Sequence, residues 1–157
     1  MVSQTTPVTS SPATAPTPLP RATLALANVQ YEKKGSIAYV TVNRPKVLNA
    51  LNTSTWTDLR AAFEDAKSDP SVRGVILTGA GDKAFVAGAD ISELADVDAY
   101  EAEESSRFGQ GVLDLIENLG KPVIAAINGF ALGAAARLQW RAPSGSLPSM
   151  PGLDSAK

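Results

Sequence analysis

The stretch of this chain best suited to chemistry consists of small residues followed by a candidate helix start. Residues 83–91 read KAFVAGADI and follow an apolar run at residues 74–78, which predicts a buried strand. Small side chains let a ligand approach the backbone closely. The first N–H groups of a helix lack partners within it and lie at its positive end. Together these features favour an anionic oxygen as the ligand, rather than a metal ion or an activated nucleophile.

The residue types present narrow the chemistry further. The 157 residues contain no cysteine and no histidine, so acid–base catalysis would need carboxylates, lysine or tyrosine, and thiol chemistry is excluded. A net charge of −2 gives no strong field for nucleic acid or anionic lipid. No apolar run approaches the about 20 residues that cross a membrane.

Two other patterns could indicate a dinucleotide site or a metal site, and neither interpretation is favoured. Residues 79–84 read GAGDKA and fit a dinucleotide-binding pattern, but its glycines should open a helix directly, and residues 85–88 are not helix-like. A simple turn is the better interpretation. The acidic run Glu101, Glu103 and Glu104 lacks metal-ligand spacing, so we interpret it as a solvated helix face and expect no metal.

Alternating strand and helix patterns surround the small-residue stretch. Asn52, Thr53 or Ser54 is expected to cap the first helix, and Asp98 the second. Trp56 lies on the apolar face of the first helix and is interpreted as core rather than as a ligand contact. The predicted elements are strands at Val29–Glu32 and Ile37–Val42, a helix at Asn52–Lys67, a strand at Val72–Thr78, a helix from Asp98 to Leu119 and a strand at Lys121–Ile127. This order predicts an α/β fold with a largely parallel sheet.

Residues 1–22 contain five prolines, many Ser and Thr, and Arg21 as their one charge. This composition cannot bury a core and predicts a disordered tail. A plain extension is favoured over a targeting sequence, because a basic start, an apolar segment and an Arg-rich composition are all lacking. A cytoplasmic location is the default expectation.

Three segments, in order and register, resemble motifs of the enoyl-CoA hydratase (crotonase) superfamily. KAFVAGADISEL from Lys83 resembles its oxyanion-hole segment, VTVNRPKVLNAL from Val40 agrees with a second motif, and KPVIAAINGFALG from Lys121 agrees with a third. The resemblance covers roughly residues 29–133. It implies that residues 28–136 form a partial crotonase-like domain, the N-terminal part of a ββα spiral with covering helices.

The same resemblance implies an acyl-CoA substrate, with the CoA thioester as substrate and no separate cofactor. It implies that the backbone N–H groups of Ala89 and Ala134 form an oxyanion hole for a thioester enolate. Residues Ala87, Ala89, Asp90, Ile91 and Ser92 match the segment that lines the thioester and pantetheine, and Lys46 and Val47 match a loop that approaches CoA. For Lys46, an ordinary solvated lysine is an equal alternative.

After Gly133 the sequence departs from the family pattern. Crotonases continue with glycines, a catalytic Glu and later a second Glu, whereas Arg137 stands at the first of these positions and residues 137–157 read as a non-family tail. A guanidinium stays protonated and cannot act as a base. We therefore expect a truncated or frameshifted chain that hydrates trans-2-enoyl-CoA poorly or not at all.

Two functional interpretations stay open: an enoyl-CoA hydratase-like protein of acyl-CoA metabolism, and a non-catalytic fragment that binds CoA or associates with homologues. The family's trimers and hexamers are not expected of a chain without the C-terminal helices that support assembly. Because a stack of repeats needs neighbours to cover its faces, we also expect marginal stability and an exposed apolar flank near residues 123–132.

Overall fold

A computed structural model describes residue 24, residues 26–94 and residues 98–133 of the chain. Ala134, Arg137 and both predicted tails lie outside the described residues. The elements are β1 Val29–Lys34, β2 Ile37–Val42, a 3-10 turn at Pro45–Val47, α1 Thr53–Ser68, β3 Gly74–Gly79, β4 Ala84–Val86, α2 Ile91–Leu94, α3 Ala99–Glu117, β5 Val123–Ala126 and β6 Phe130–Ala131.

The main sheet has four strands in the order β1-β2-β3-β5. β1 and β2 form an antiparallel hairpin, whereas β2 with β3 and β3 with β5 are parallel pairs. β4 and β6 form a separate two-stranded parallel sheet. The predicted α/β class with a largely parallel sheet is confirmed.

The two long helices pack on each other and contribute to one hydrophobic core with the sheet. Phe63 of α1 and Phe85 of β4 are fully buried in that core. Trp56 is half-buried and packs against it, as predicted. A Cβ on Gly109 of α3 would lie 3.2 Å from the Trp56 ring, so the glycine lets the two helices approach closely at this point.

The predicted helix caps are confirmed. The Asn52 side chain accepts a hydrogen bond from Thr55 N at 2.9 Å. Asp98 and Glu101 form a reciprocal capping box at the start of α3. Both caps satisfy N–H groups that have no partner within the helix, which is why the observed starts agree with the sequence prediction.

The end of α1 is fastened to two strands by lysines. Lys121, just before β5, donates from Nζ to the backbone oxygens of Ala66 and Asp69, both at 2.6 Å. Lys33 of β1 forms ion pairs with Asp65 and Asp69. These cations lie at the negative end of the helix, where positive charge is stabilising, and they tie the start of β5 and the end of β1 to α1.

The strand of residues 121–127 was predicted to be buried, and that prediction was wrong, whereas the buried strand predicted at residues 72–78 is confirmed with shifted bounds. The strand predicted at Lys121–Ile127 is shorter, and it is not buried: Ile124 is 58% exposed, because β5 is the last strand of the sheet within the described residues. The strand predicted at Val72–Thr78 begins at Gly74 and ends at Gly79.

The expected apolar flank is confirmed within the described residues. It comprises the exposed side chains of Ile124, Ile127, Phe130 and Leu132, which lie in β5 and β6 or directly after them. Among the residues that the structure describes, no helix has both the length and the apolar character needed to cross a membrane.

Candidate functional site

The small-residue stretch forms a buried strand that ends in a glycine turn. All residues of β4 are buried, and Ala87 donates its N–H to Leu48 O at 3.1 Å. Gly88 is buried and has a φ of 105°, a conformation that favours glycine. The next residue, Ala89, is exposed. The strand therefore brings an accessible peptide group to the surface immediately before α2.

The orientation of the Ala89 peptide follows from a single parallel bridge with Leu51. Leu51 N donates to Gly88 O at 2.8 Å, and Asp90 N donates to Leu51 O at 3.0 Å. Leu51 thus bonds to the residues before and after Ala89, and not to Ala89 itself. In a parallel bridge of this kind the N–H of the middle residue, here Ala89, points away from the partner strand. The Ala89 N–H has no backbone acceptor among the described residues and is available to a ligand.

A second glycine turn lies beside the first. β6 pairs in parallel with β4, and Leu132 N donates to Val86 O at 3.0 Å. Gly133 follows with a φ of 60°, and a Cβ built on it would lie 3.6 Å from the Gly88 Cα. The structure thus places close together the two glycines that precede the expected donors, Ala89 and Ala134. Ala134 itself is outside the described residues.

The loop that carries Lys46 and Val47 is held against this stretch by Asn49. Leu48 and Asn49 both adopt left-handed backbone conformations, with φ values of 52° and 57°, which are uncommon for residues other than glycine. Asn49 is 1% exposed; its Oδ1 accepts from Arg44 N, and its Nδ2 donates to the backbone oxygens of Ala80 and Ala84. Lys46 and Val47 are exposed beside the site.

Both carboxylate oxygens of Asp90 are occupied by protein groups. Oδ2 accepts from Arg44 Nη1 at 2.9 Å, and Oδ1 accepts from the hydroxyl and the backbone N–H of Ser92 at 2.6 and 3.2 Å. The Ser92 hydroxyl and the Arg44 guanidinium lower the pKa of Asp90. Asp90 therefore stays charged and fixes the backbone next to Ala89.

The short helix α2 is tied to the start of α1. Glu93 Oε2 accepts hydrogen bonds from the backbone N and the hydroxyl of Thr53, at 2.9 and 3.0 Å. Ile91, the first residue of α2, is 79% exposed. Its apolar side chain is thus available beside Ala89 for contact with an apolar part of a ligand.

A cleft of about 170 Å³ separates the Asn49 loop from the turn that precedes β4. Its lining includes Pro45, Leu48 and Lys83. The turn leads into a strand rather than a helix, which confirms the preference for a simple turn over a dinucleotide motif. Within the described residues, no group of three or more acidic side chains is placed to hold a metal ion.

The far side of the same turn is held by Asn128. Its Nδ2 donates to the backbone oxygens of Gly79 and Gly81, at 2.8 and 2.6 Å. Asn49 and Asn128 thus fix one turn from both sides, and sequence reasoning had assigned neither a role. The sequence indicated these roles only through the position of both asparagines next to predicted turns. Asparagine is common in turns in general, so that position does not predict a particular contact.

Comparison with solved structures identifies the fold. The crystal structure of enoyl-CoA hydratase from Bacillus anthracis superposes with a TM-score of 0.69 at 33% identity, over 71% of this chain and 44% of that one. An enoyl-CoA hydratase/carnithine racemase from Magnetospirillum magneticum gives 0.62 at 42% identity, over 66% and 39%. The chain has the crotonase type of α/β fold.

The sequence model described as enoyl-CoA hydratase/isomerase matches residues 32–142, and the chain belongs to that family. The short-chain-enoyl-CoA hydratase of Clostridium acetobutylicum is 48% identical over 115 residues, and the crotonyl-CoA hydratase of Syntrophomonas wolfei is 47% identical over 115 residues. Each alignment covers 73% of this chain and 44% of the relative. The chain therefore spans less than half the length of these relatives.

Proposed function

We propose that this chain carries the acyl-CoA-binding half of an enoyl-CoA hydratase-like site. In this proposal the N–H of Ala89, with that of Ala134, binds the thioester carbonyl oxygen. The observation that carries it is the proximity of the Gly88 and Gly133 turns, together with an Ala89 N–H directed away from Leu51. The family membership and the names of the relatives support the choice of ligand.

The chemistry of the proposed site is stabilisation of an enolate. When a nucleophile adds to the conjugated double bond, negative charge develops on the thioester oxygen. Backbone donors that are already in place stabilise that charge without reorganising, and one such donor typically contributes ~10²–10³ in rate. Both glycine turns are anchored in paired strands, as preorganisation requires.

The remaining expected contacts complete the proposal. Ala87, Asp90, Ile91 and Ser92 surround the proposed thioester position along the chain, and Ile91 contributes a large exposed apolar side chain there. Lys46 and Val47 lie on the loop expected to approach CoA, and Lys83 adds a cation to the lining of the adjacent cleft. Lysines suit the CoA phosphates as point charges.

Hydration itself requires carboxylates that position and activate water, worth roughly 10²–10⁴ each. Arg137 stands at the expected position of the first, so we propose that this chain binds trans-2-enoyl-CoA and forms 3-hydroxyacyl-CoA slowly if at all. No cofactor beyond the thioester substrate is part of the proposal. We also propose that the chain associates with homologous chains and that it is located in the cytoplasm.

The test is to titrate the purified 157-residue chain with crotonyl-CoA and with free CoA by calorimetry, and to follow the conjugated absorbance of crotonyl-CoA in the same sample. We expect tighter binding of crotonyl-CoA than of CoA, with no turnover. Turnover at ordinary enzyme rates would refute the non-catalytic part of the proposal. Equal or absent binding of the two ligands would refute the thioester site.

A further inference from the structure

Arg44 lies outside the stretch that supplies the proposed oxyanion donor, yet its guanidinium reaches that stretch. Its Nη1 donates to Ala50 O at 2.6 Å and to Asp90 Oδ2 at 2.9 Å. The Arg44 and Asp90 side chains are 18% and 11% exposed, so solvent screens this ion pair less than it screens the surface pairs of the chain.

The two acceptors of Arg44 flank the bridge that orients Ala89. Ala50 immediately precedes Leu51, and Asp90 immediately follows Ala89. One guanidinium nitrogen therefore joins the two segments on either side of the Leu51–Ala89 bridge. Loss of that nitrogen would free the segments to separate, and the Ala89 N–H would then lose its fixed direction.

The negative charge of Asp90 must also be offset if an anionic oxygen is to bind next to it. A carboxylate one residue from an oxyanion donor would repel the negative charge that develops on the bound thioester oxygen. The cation of Arg44 offsets this repulsion at short range. The remaining oxygen of Asp90 accepts hydrogen bonds from Ser92, so both carboxylate oxygens have donors, and the Arg44 cation offsets the charge.

We propose that Arg44 and Asp90 are positioning residues for the oxyanion-binding N–H of Ala89, and that Arg44 also cancels the charge of Asp90 next to the bound oxygen. This inference rests on the proposed function. It gives Asp90 a role through the backbone in addition to its place in the segment expected to line the thioester. Arg44→Met, which leaves the carboxylate unpaired, should therefore be more harmful than Asp90→Asn, which removes the charge and keeps a similar shape.

The experiment uses the full chain with two probes, crotonyl-CoA and free CoA. The readouts are the two dissociation constants and the infrared stretch of a ¹³C-labelled thioester carbonyl, which shifts when hydrogen-bond donors polarise the bond. For Arg44→Met we expect crotonyl-CoA binding to weaken about tenfold, the stretch to return towards its value in water, and CoA binding to stay unchanged. The double variant with Asp90→Asn should recover part of the loss, and Arg44→Lys should retain part of the carbonyl shift.

The matched control is Arg60→Met, which breaks the exposed Arg60–Glu64 pair and should change neither binding nor the stretch. If Arg44→Met does not fold, Asp90→Asn and Arg44→Lys still give the comparison. Equal weakening of both ligands with an unchanged carbonyl stretch would overturn the positioning role, as would variants indistinguishable from wild type. If the wild-type chain does not prefer crotonyl-CoA to CoA, the proposed function fails first and this inference fails with it.

Discussion

Asn49 donates from its side-chain Nδ2 to Ala84 O at 2.8 Å, a fully buried hydrogen bond between residues 35 positions apart. The same side chain also accepts a hydrogen bond from Arg44 N through Oδ1 and donates one from Nδ2 to Ala80 O. This one side chain therefore fixes the loop of Lys46 and Val47 against the strand that leads to Ala89. It links the two parts of the candidate site that sequence motifs identify separately.

Replacement of Asn49 by Ala should lower the free energy of unfolding by about 2–4 kcal/mol. The variant loses three hydrogen bonds at a buried position and places alanine in a left-handed conformation that asparagine tolerates better. Urea unfolding followed by circular dichroism measures the change. The control is Asn118→Ala, whose exposed amide donates to Asp114 O in the last turn of α3. If the Asn49 variant were within about 0.5 kcal/mol of wild type, the central role of this side chain would be wrong.

The stability of the chain should decrease in acid because of Asp69 and Asp90. Hydrogen bonds from Lys33 and Ser71 lower the pKa of Asp69, and hydrogen bonds from Ser92 and Arg44 lower that of Asp90. The unfolded state, with aspartate pKa values near 3.9, binds more protons than the folded state below that pH. The stabilisation is therefore present above about pH 4 and is lost as the pH falls towards the folded-state values.

Asp69→Asn tests this dependence. The variant should be less stable than wild type at neutral pH, and its free energy of unfolding should fall less between about pH 5 and about pH 2. Ser71→Ala removes one of the hydrogen bonds and leaves the Lys33 pair intact, so it should give an intermediate slope. Parallel curves for all three proteins would exclude Asp69 as a source of the acid sensitivity.

The exposed flank should make the isolated chain self-associate. β5 has no partner on its outer edge within the described residues, and exposed apolar edge strands pair with other chains. Ile124→Lys should reduce light scattering at high protein concentration while leaving the free energy of unfolding within about 0.5 kcal/mol, because the side chain is already exposed. Tyr100→Lys is the control: Tyr100 is 69% exposed and lies on α3, not in the sheet. Equal improvement by both variants would mean that added charge, not the edge, controls association.

The sequence predicted the helices and their caps because those signals are local. Asn52 and Asp98 each act on N–H groups within three residues, and the apolar spacing of α1 and α3 extends over several turns. The βαβ order likewise predicted the parallel sheet. These features depend on short stretches that can be interpreted one at a time.

Other features depend on contacts between distant segments. β4 and β6 are three and two residues long, too short for an alternating pattern, and they exist because each pairs with the other. The Arg44–Asp90 pair joins residues 46 positions apart, and no spacing rule indicates it. The motifs single out Ala89 as an expected donor, which stays a prediction, whereas the direction of its N–H becomes visible in the bridge with Leu51.

Two glycines in different surroundings should respond oppositely to substitution by alanine. A Cβ on Gly129 would lie 2.3 Å from Lys83 O, a backbone atom that cannot yield without separating β4 from β6. A Cβ on Gly111, on the exposed face of α3, meets nothing within 4 Å. Gly129→Ala should therefore destabilise the chain and abolish its preference for crotonyl-CoA over CoA, because the second glycine turn would shift away from Gly88.

Gly111→Ala should instead stabilise the chain by roughly 0.5–1 kcal/mol, since alanine is the better helix former and loses less backbone entropy. Urea unfolding and ligand titration on both variants give the comparison. If Gly129→Ala kept full stability and full preference for crotonyl-CoA, the close packing of β4 and β6 would not position the site, and the proximity of Gly88 and Gly133 would have no functional consequence.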